Sequence, residues 1–385
     1  ANKIAEAQSW LDEHIDVLPE AAVAQLQDAM LYAEDYTYPD LDEEEVQAVT
    51  TVFEEEFTSV KNVVAQLNEL TNLLAKAEEL VALEYPGLAD FSAAYEAAAA
   101  VVDAGAGLAI PDDKTAEAYL QEAVAAFNAA ILAYYESQVP SPENPADYTF
   151  KIVLPSFDGS KNYTIPAPWV VANVQASGDV WVGPGQPDAA GDGTTNLPCL
   201  NSWSNNFTTM DVHQDIEGLP NGVYSVSARA ITQGLGQQHA YATSSVGTSV
   251  SEDMTIVGWD TYEWETLTTT KVVVIDGKLR IGFASVSAGD VNGWYQVTDF
   301  QLKYYGEASE EDLKGAWEAS LERAEEMVNI LLKGDSKGVQ DAIAAASPLA
   351  AEGKYVDACQ ALNPSVAACD SVFNAVQKFY DGNYQ

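Results

Sequence analysis

Basic residues, histidine and cysteine are all scarce in this chain. Seventeen Lys and Arg stand against 59 Asp and Glu in 385 residues, a formal net charge of −42. A surface of that sign repels phosphodiester backbones and anionic lipid headgroups, which excludes nucleic acid and membrane surfaces as main partners. With only three histidines, His-ligated metal chemistry is not expected. Cys199, Cys359 and Cys369 are odd in number, too sparse for a disulfide framework and without metal-ligand spacing. Free buried thiols are the default, with a Cys359–Cys369 bridge as the alternative. No run approaches the ~18 apolar residues that a membrane span needs. There is no Gly-rich phosphate loop, no Ser-His-Asp set and no glycosidase-type carboxylate pair. Asp260, Glu263 and Glu265 stand among aromatics and could in principle supply an acid and a nucleophile, but acids near tryptophans usually orient ligands or solvate loops.

What is present builds cores. Hydrophobic residues make up 47% of the chain and charged ones 20%, and the length fits two to four domains. Acids concentrate at the front: residues 1–145 hold 29 against four lysines, whereas residues 146–306 hold 16 against 7 basic residues. They follow no EF-hand spacing and read as a solvated surface. The chain starts at Ala1 with neither an initiator Met nor an apolar leader, the form expected of a chain whose targeting signal has been removed.

From Lys3 to Val139 the sequence reads as helices broken where Pro and Gly accumulate. Leu67, Leu70, Leu74, Ala77 and Val81 recur at spacings of three and four and share one helical face. Phe91, Tyr95, Ala98 and Val102 form a second stripe, and Leu120, Val124, Phe127, Ile131 and Tyr134 a third. The carboxyl-terminal segment repeats this unit: Lys76-Ala77-Glu78-Glu79-Leu80-Val81 matches Arg323-Ala324-Glu325-Glu326-Met327-Val328, and Phe127-Asn128-Ala129 matches Phe373-Asn374-Ala375. Residues 1–60, with Trp10, Leu18, Leu26 and Met30 ahead of Phe53 and Phe57, read as a more diverged copy. These units resemble the FIVAR-like three-helix modules that recur as spacers in bacterial surface proteins.

Pro140, Pro142 and Pro145 form a stiff linker. From Tyr148 to Tyr305 the texture changes to short alternating runs. In Asp211 to Ala230, Val212, Gln214 and Ile216 alternate, Leu219-Pro220-Asn221-Gly222 is turn chemistry, and Tyr224, Val226, Ala228 and Ala230 share one face. Asp276-Gly277 is a second hairpin signal, between Val272, Val274 and Leu279, Ile281, Phe283. Trp294, Phe300, Leu302 and Tyr304 are read on one parity of a last strand, with Asp299 opposite. About eight strands of this kind fit a jelly-roll sandwich. The expected fold is therefore multidomain α and β, with three-helix-bundle modules at both ends around a central antiparallel β-sandwich (residues 1–60, 61–139, 146–306 and 309–385).

Tyr148-Thr149-Phe150, Pro155-Ser156-Phe157-Asp158, Gln214 before Gly218-Leu219-Pro220-Asn221-Gly222-Val223-Tyr224, Asp276-Gly277-Lys278-Leu279, and Trp294 before Asp299-Phe300 together are similar to the galactose-binding-like jelly roll of gut Bacteroidetes surface and secreted proteins. The resemblance implies a carbohydrate-binding module or an accessory sandwich, outside the cell or on the outer membrane and often lipid-anchored, working beside other glycan-utilisation proteins. It also implies one structural calcium, with Asp158 and Asp299 as the carboxylates to watch; no other cofactor is required.

Sugar recognition needs flat apolar faces and planar polar groups. Trp169 and Trp181 lie in Pro- and Gly-rich surroundings, Trp203 sits among asparagines, and Trp259, Tyr262 and Trp264 cluster near a loop. Gln237 and His239 belong to a polar insertion, Thr232 to His239, between two strands. Because a sandwich also needs large core residues, Trp203 and Trp294 weigh toward the core and His213 toward the surface. The expected function is glycan binding without cleavage. The alternatives are a structural or adhesive protein with a mute sandwich, or an accessory region of a glycoside hydrolase.

Overall fold

The computed structural model describes residues 2–36, 42–158, 165–172, 179–185, 198–204, 210–233, 236–254, 263–287, 293–331 and 336–383. The chain divides into two compact units, residues 1–138 and 139–385.

The first unit is helical: α1 (Asn2–His14), α2 (Glu20–Asp35), α3 (Glu43–Val81), α4 (Leu88–Ala104) and α5 (Ala116–Glu136). The boundary expected at residue 60 falls inside α3, which runs for 39 residues. The reason is in its apolar positions: Phe53, Phe57, Val60, Val63, Leu67, Leu70, Leu74, Ala77 and Leu80 keep spacings of three and four without a Pro or Gly to stop them. Asp42 and Glu45 close a capping box at its start. Two cores sit along this one helix. The first gathers α1, α2, the front of α3 and Leu120 of α5; the second gathers the back of α3 with Phe91, Phe127 and Tyr134.

The second unit carries a sandwich of two antiparallel sheets. Twelve strands lie among the described residues rather than eight: β1 (Ala146–Asp147), β2 (Val170–Ala172), β3 (Asp179–Pro184), β4 (Pro198–Ser204), β5 (Met210–Ile216), β6 (Gly222–Gln233), β7 (Gly236–Ser244), β8 (Gly247–Val250), β9 (Glu265–Thr268), β10 (Val272–Val274), β11 (Leu279–Ser287) and β12 (Gly293–Tyr304). One sheet is ordered β10-β6-β12-β4-β3, with β1 on β12 and β9 on β6; the other is β2-β5-β11-β7-β8. Tyr224, Val226, Ala228 and Ala230 face Val212, Ala240, Ala242, Ile281 and Phe283 in the core between the sheets, as the alternation predicts.

The two turn signals do not make hairpins. Leu219–Gly222 joins β5 of one sheet to β6 of the other, and Asp276-Gly277 joins β10 to β11 across the same divide. Turn residues specify that the chain reverses, not which sheet receives it. The two corners are tied together: Leu219 N–H donates to Gly277 O at 3.1 Å, and Gly277 N–H donates to Asn221 Oδ1 at 3.0 Å. Gly277 has φ +70°, and a Cβ there would stand 3.1 Å from Leu219 O. Gln214, buried in β5, accepts from Val153 N and donates to Val153 O, both at 2.9 Å.

Strand β12 changes phase along its length. Tyr295 and Val297 enter the core, then Phe300, Leu302 and Tyr304 do. Between them the pairing with β6 slips, so that Asp299 and Phe300 together oppose Ala228. Asp299 takes φ +51° at this bulge. Ser156 Oγ donates to Asp299 Oδ1 at 2.6 Å, and Phe300 N–H donates to Pro155 O at 3.0 Å. Trp294 therefore does not share a face with Phe300; the inserted residue reverses the parity expected from spacing alone.

The helices α6 (Glu310–Ile330), α7 (Lys337–Ala351) and α8 (Tyr355–Asn383) follow. They do not stand apart from the sandwich. Val246 and Ile275 of the sandwich share a core with Trp317, Met327, Val339 and Phe373, and Ser320 Oγ donates to Val246 O at 3.1 Å. All three cysteines are free. Cys359 and Cys369 lie ten residues apart in α8, about 15 Å at the helical rise, which rules out a bridge.

Asp299→Leu should lower stability by about 2 kcal/mol, because it loses the Ser156 bond and places an apolar side chain in left-handed backbone. Asp299→Asn, which tolerates that backbone and keeps an acceptor, should stay near wild type. Urea denaturation measures both; equal midpoints would show that the bulge does not depend on this residue.

Candidate functional site

The register of β12 places Trp294, Gln296 and Thr298 on the outer face of the seven-stranded sheet. On β4, Trp203 lies opposite Trp294 and Asn201 opposite Gln296. On β3, Trp181 lies opposite Asn201. On the other side, β6 brings Ile231 opposite Gln296 and Arg229 opposite Thr298, and β9 sets Thr266 against Arg229 just after Trp264. Strand alternation thus gathers Trp181, Trp203 and Trp294 onto neighbouring strands of one face, with two amides between them.

The floor of this face is held rigidly. Gln296 Nε2 donates to Asn201 Oδ1, Asn201 Nδ2 donates to Cys199 O at 3.1 Å, and Thr298 Oγ1 donates to Pro198 O at 2.7 Å. Asn201 and Gln296 are buried, as are Cys199 and Ile231, which lie outside the inter-sheet core. Trp181 is half-buried over Gly183, where an added Cβ would stand 3.2 Å from its Cδ1 and Nε1. At the far end, the Arg229 guanidinium lies 6.0 Å from the Trp264 ring and 3.9 Å from Asp299 Oδ2. Burial pushes the Cys199 thiol up to about 12, so it is a protonated, inert side chain near neutral pH.

The other expected residues separate from this group. Trp169 is not a surface ring: it is 4% exposed, its ring centroid lies 5.2 Å from that of Phe157 and 4.7 Å from that of Phe300, and its Nε1 donates to Val153 O at 2.9 Å. Its prolines turn the chain into the core instead of away from it. Gln237 and His239 are not in a loop, because β6 runs to Gln233 and β7 begins at Gly236. Their strand positions lie on the outer face of the five-stranded sheet, away from the tryptophans; His239 Nδ1 stands 3.1 Å from Asp253 Oδ1. His213 is buried on that same face, its Nδ1 2.6 Å from Asp211 Oδ2, while Asp211 Oδ1 accepts from Tyr241. Burial, then the Asp211 carboxylate, pushes the Tyr241 hydroxyl up. Trp259, Tyr262 and Asp260 lie outside the described residues, as do the side chains of Trp203, Trp294 and Gln237.

Asp299, expected as a calcium ligand, is engaged within the chain. Its two oxygens face the Ser156 hydroxyl and the Arg229 cation, and no group of three or more His, Cys, Asp or Glu able to hold a metal occurs among the described residues. Asp158 is exposed at the end of the same loop.

Gln296 and Arg229 join this face without belonging to any of the expected clusters. The signal was there: Asn201 and Trp203, and Trp294 and Gln296, are each two residues apart, which puts an amide and an indole on one strand face twice over.

No protein-family model and no curated protein matches the chain. Among solved structures it is similar to TmCBM61 in complex with β-1,4-galactotriose, at 21% identity over 38% of this chain and 99% of that one, with a TM-score of 0.27. It is similar to the K2 cleaved adhesin domain of Lys-gingipain at 16% identity, over 38% and 96%, with a TM-score of 0.25. The CBM22-1 xylan-binding domain from Paenibacillus barcinonensis Xyn10C matches at 11% identity, over 37% and 87%, with a TM-score of 0.23.

In the native chain Cys199 should resist thiol reagents at pH 8 and react only on unfolding, as mass spectrometry of labelled peptides would show. Because its folded pKa is raised from 9.0 to about 12, the unfolded thiol ionises first and this residue's contribution to stability falls between those two values. Rapid labelling of the folded protein would contradict the burial described.

Proposed function

We propose that the sandwich binds glycan without cleaving it, on the outer face of its seven-stranded sheet. The observation that carries this reading is the register that sets Trp181, Trp203 and Trp294 on neighbouring strands with Asn201 and Gln296 between them. Indole faces suit the C–H side of a pyranose, and amides held in place suit adjacent hydroxyls. Trp264 beside Arg229 extends the surface at one end. On this reading the protein works outside the cell or at the outer-membrane surface, carried by FIVAR-like helical modules and lipid-anchored among other glycan-utilisation proteins, as its sequence resemblances imply.

A second reading, a structural or adhesive protein with a mute sandwich, draws on the burial of Asn201 and Gln296, whose amides already bond one another. Affinity electrophoresis against a panel of neutral and anionic polysaccharides separates the two. Wild type should be retarded by at least one polysaccharide, and Trp181→Ala or Trp294→Ala should weaken binding about tenfold, the loss of one stacking contact. His239→Ala, on the opposite face, should bind as wild type. Retardation by none of the panel, or binding indifferent to both tryptophans, favours the second reading. Release of reducing ends would instead point to hydrolysis.

A further inference from the structure

The front of the helical unit carries an apolar groove that its own chain leaves open among the described residues. Along α2 and its C-cap, Ala29, Tyr32, Ala33 and Tyr36 recur at i, i+3, i+4 and i+7; along α3, Val46, Val49, Val52 and Phe53 stand at i, i+3, i+6 and i+7. Ala29, Ala33 and Phe53 form a buried floor, while Tyr32, Tyr36, Val46 and Val52 are each more than two-fifths exposed: 43%, 41%, 47% and 44%. Two cavities, about 360 and 380 Å³, open here, and Phe53 lines both; Asn2, Lys3 and Ile4 of α1 close one side of the first, and the second lies between α2 and α3 alone. Asp28 and Glu56 stand in the wall of the second.

Charge decides what can sit there. Residues 1–60 contain 16 Asp and Glu and one lysine, Lys3, which is itself paired with Glu54. A second copy of the chain would bring the same excess of negative charge to the groove, and an anionic lipid surface would be repelled as well. A flat sugar ring finds no platform, because the Tyr32 and Tyr36 rings, 5.0 Å apart, are inclined at 54°. An amphipathic helix fits on both counts: its apolar stripe matches a groove two helices wide, and basic residues on its flanks meet Asp28 and Glu56. We infer that the α2–α3 groove docks a cationic amphipathic helix of a partner protein.

This inference is independent of sugar binding, which concerns the other compact unit. Fluorescence anisotropy with a labelled Leu/Lys amphipathic model helix tests it on the full chain, with a scrambled peptide of the same composition and a Leu/Glu helix as controls. The Leu/Lys helix should bind with a micromolar Kd, and the controls should not. Tyr32→Ala and Val52→Lys, both at exposed positions, should each weaken it at least about tenfold while keeping the circular-dichroism melt. Polysaccharide retardation of both variants should stay at wild type. No binding of the Leu/Lys helix, equal binding of the scrambled peptide, or binding indifferent to both substitutions would overturn the inference. So would sedimentation showing a dimer that Tyr32→Ala dissociates, which would assign the groove to a second copy.

Discussion

The bulge at Asp299 is the constraint on which the sandwich turns. One inserted residue lets β12 send Tyr295 and Val297 into the core along its first half and Phe300, Leu302 and Tyr304 along its second. Without it, one half of the strand would carry its large residues on the wrong side of the sheet, since a slip of one residue exchanges the two faces. The loop before Phe157 locks the irregularity in place: Pro155 accepts the Phe300 N–H that the ladder gives up, and Ser156 holds the Asp299 carboxylate. The outer face of the sheet inherits this solution. Trp294 and Gln296 stand outside because Tyr295 and Val297 stand inside.

Much of the fold was legible because hydrophobic period is a local property. Tyr224, Val226, Ala228 and Ala230 could be assigned to one buried face from spacing alone, and all four are in the core. The stripes of α3 and α5 were legible for the same reason, except at the end of α3, where Leu80 is buried and the expected Val81 is exposed. What spacing could not show was pairing at a distance. Leu219–Gly222 and Asp276-Gly277 look like hairpins in sequence and are corners between sheets, held by bonds between residues more than fifty positions apart. The apparent module boundary at residue 60 vanished because nothing in α3 stops a helix there, although the chain on either side belongs to different cores.

The site was legible in residue type and illegible in placement. Trp181, Trp203 and Trp264 were identified as sugar-facing candidates, and strand register brings the first two together and sets the third beside Arg229. Trp169, chosen because prolines surround it, became a core ring, since a proline-rich segment can enter a core as readily as leave it when its backbone donors are few. Gln237 and His239 failed for a topological reason: the chain passes from one sheet to the other between Gln233 and Gly236. Residues only a few positions from β6 thereby reach the opposite side of the molecule.

The two outer faces of the sandwich differ in how the polar groups away from Arg229 and Asp299 are bonded, and that difference bears on which of them suits a neutral ligand. On the five-stranded sheet the polar groups are ionic: Arg280 holds Asp215 with two bonds, and Asp211 is shared by His213 and Tyr241. A hydroxyl-rich ligand would have to compete there with charge-assisted bonds, which are about twice as strong as those between neutral groups. On the seven-stranded sheet Gln296 bonds Asn201 and Asn201 bonds the Cys199 carbonyl, amide to amide and amide to carbonyl. Exchanging neutral bonds for neutral bonds costs little. The charge of −42 acts in the same direction, opposing polyanions while leaving uncharged chains indifferent to it.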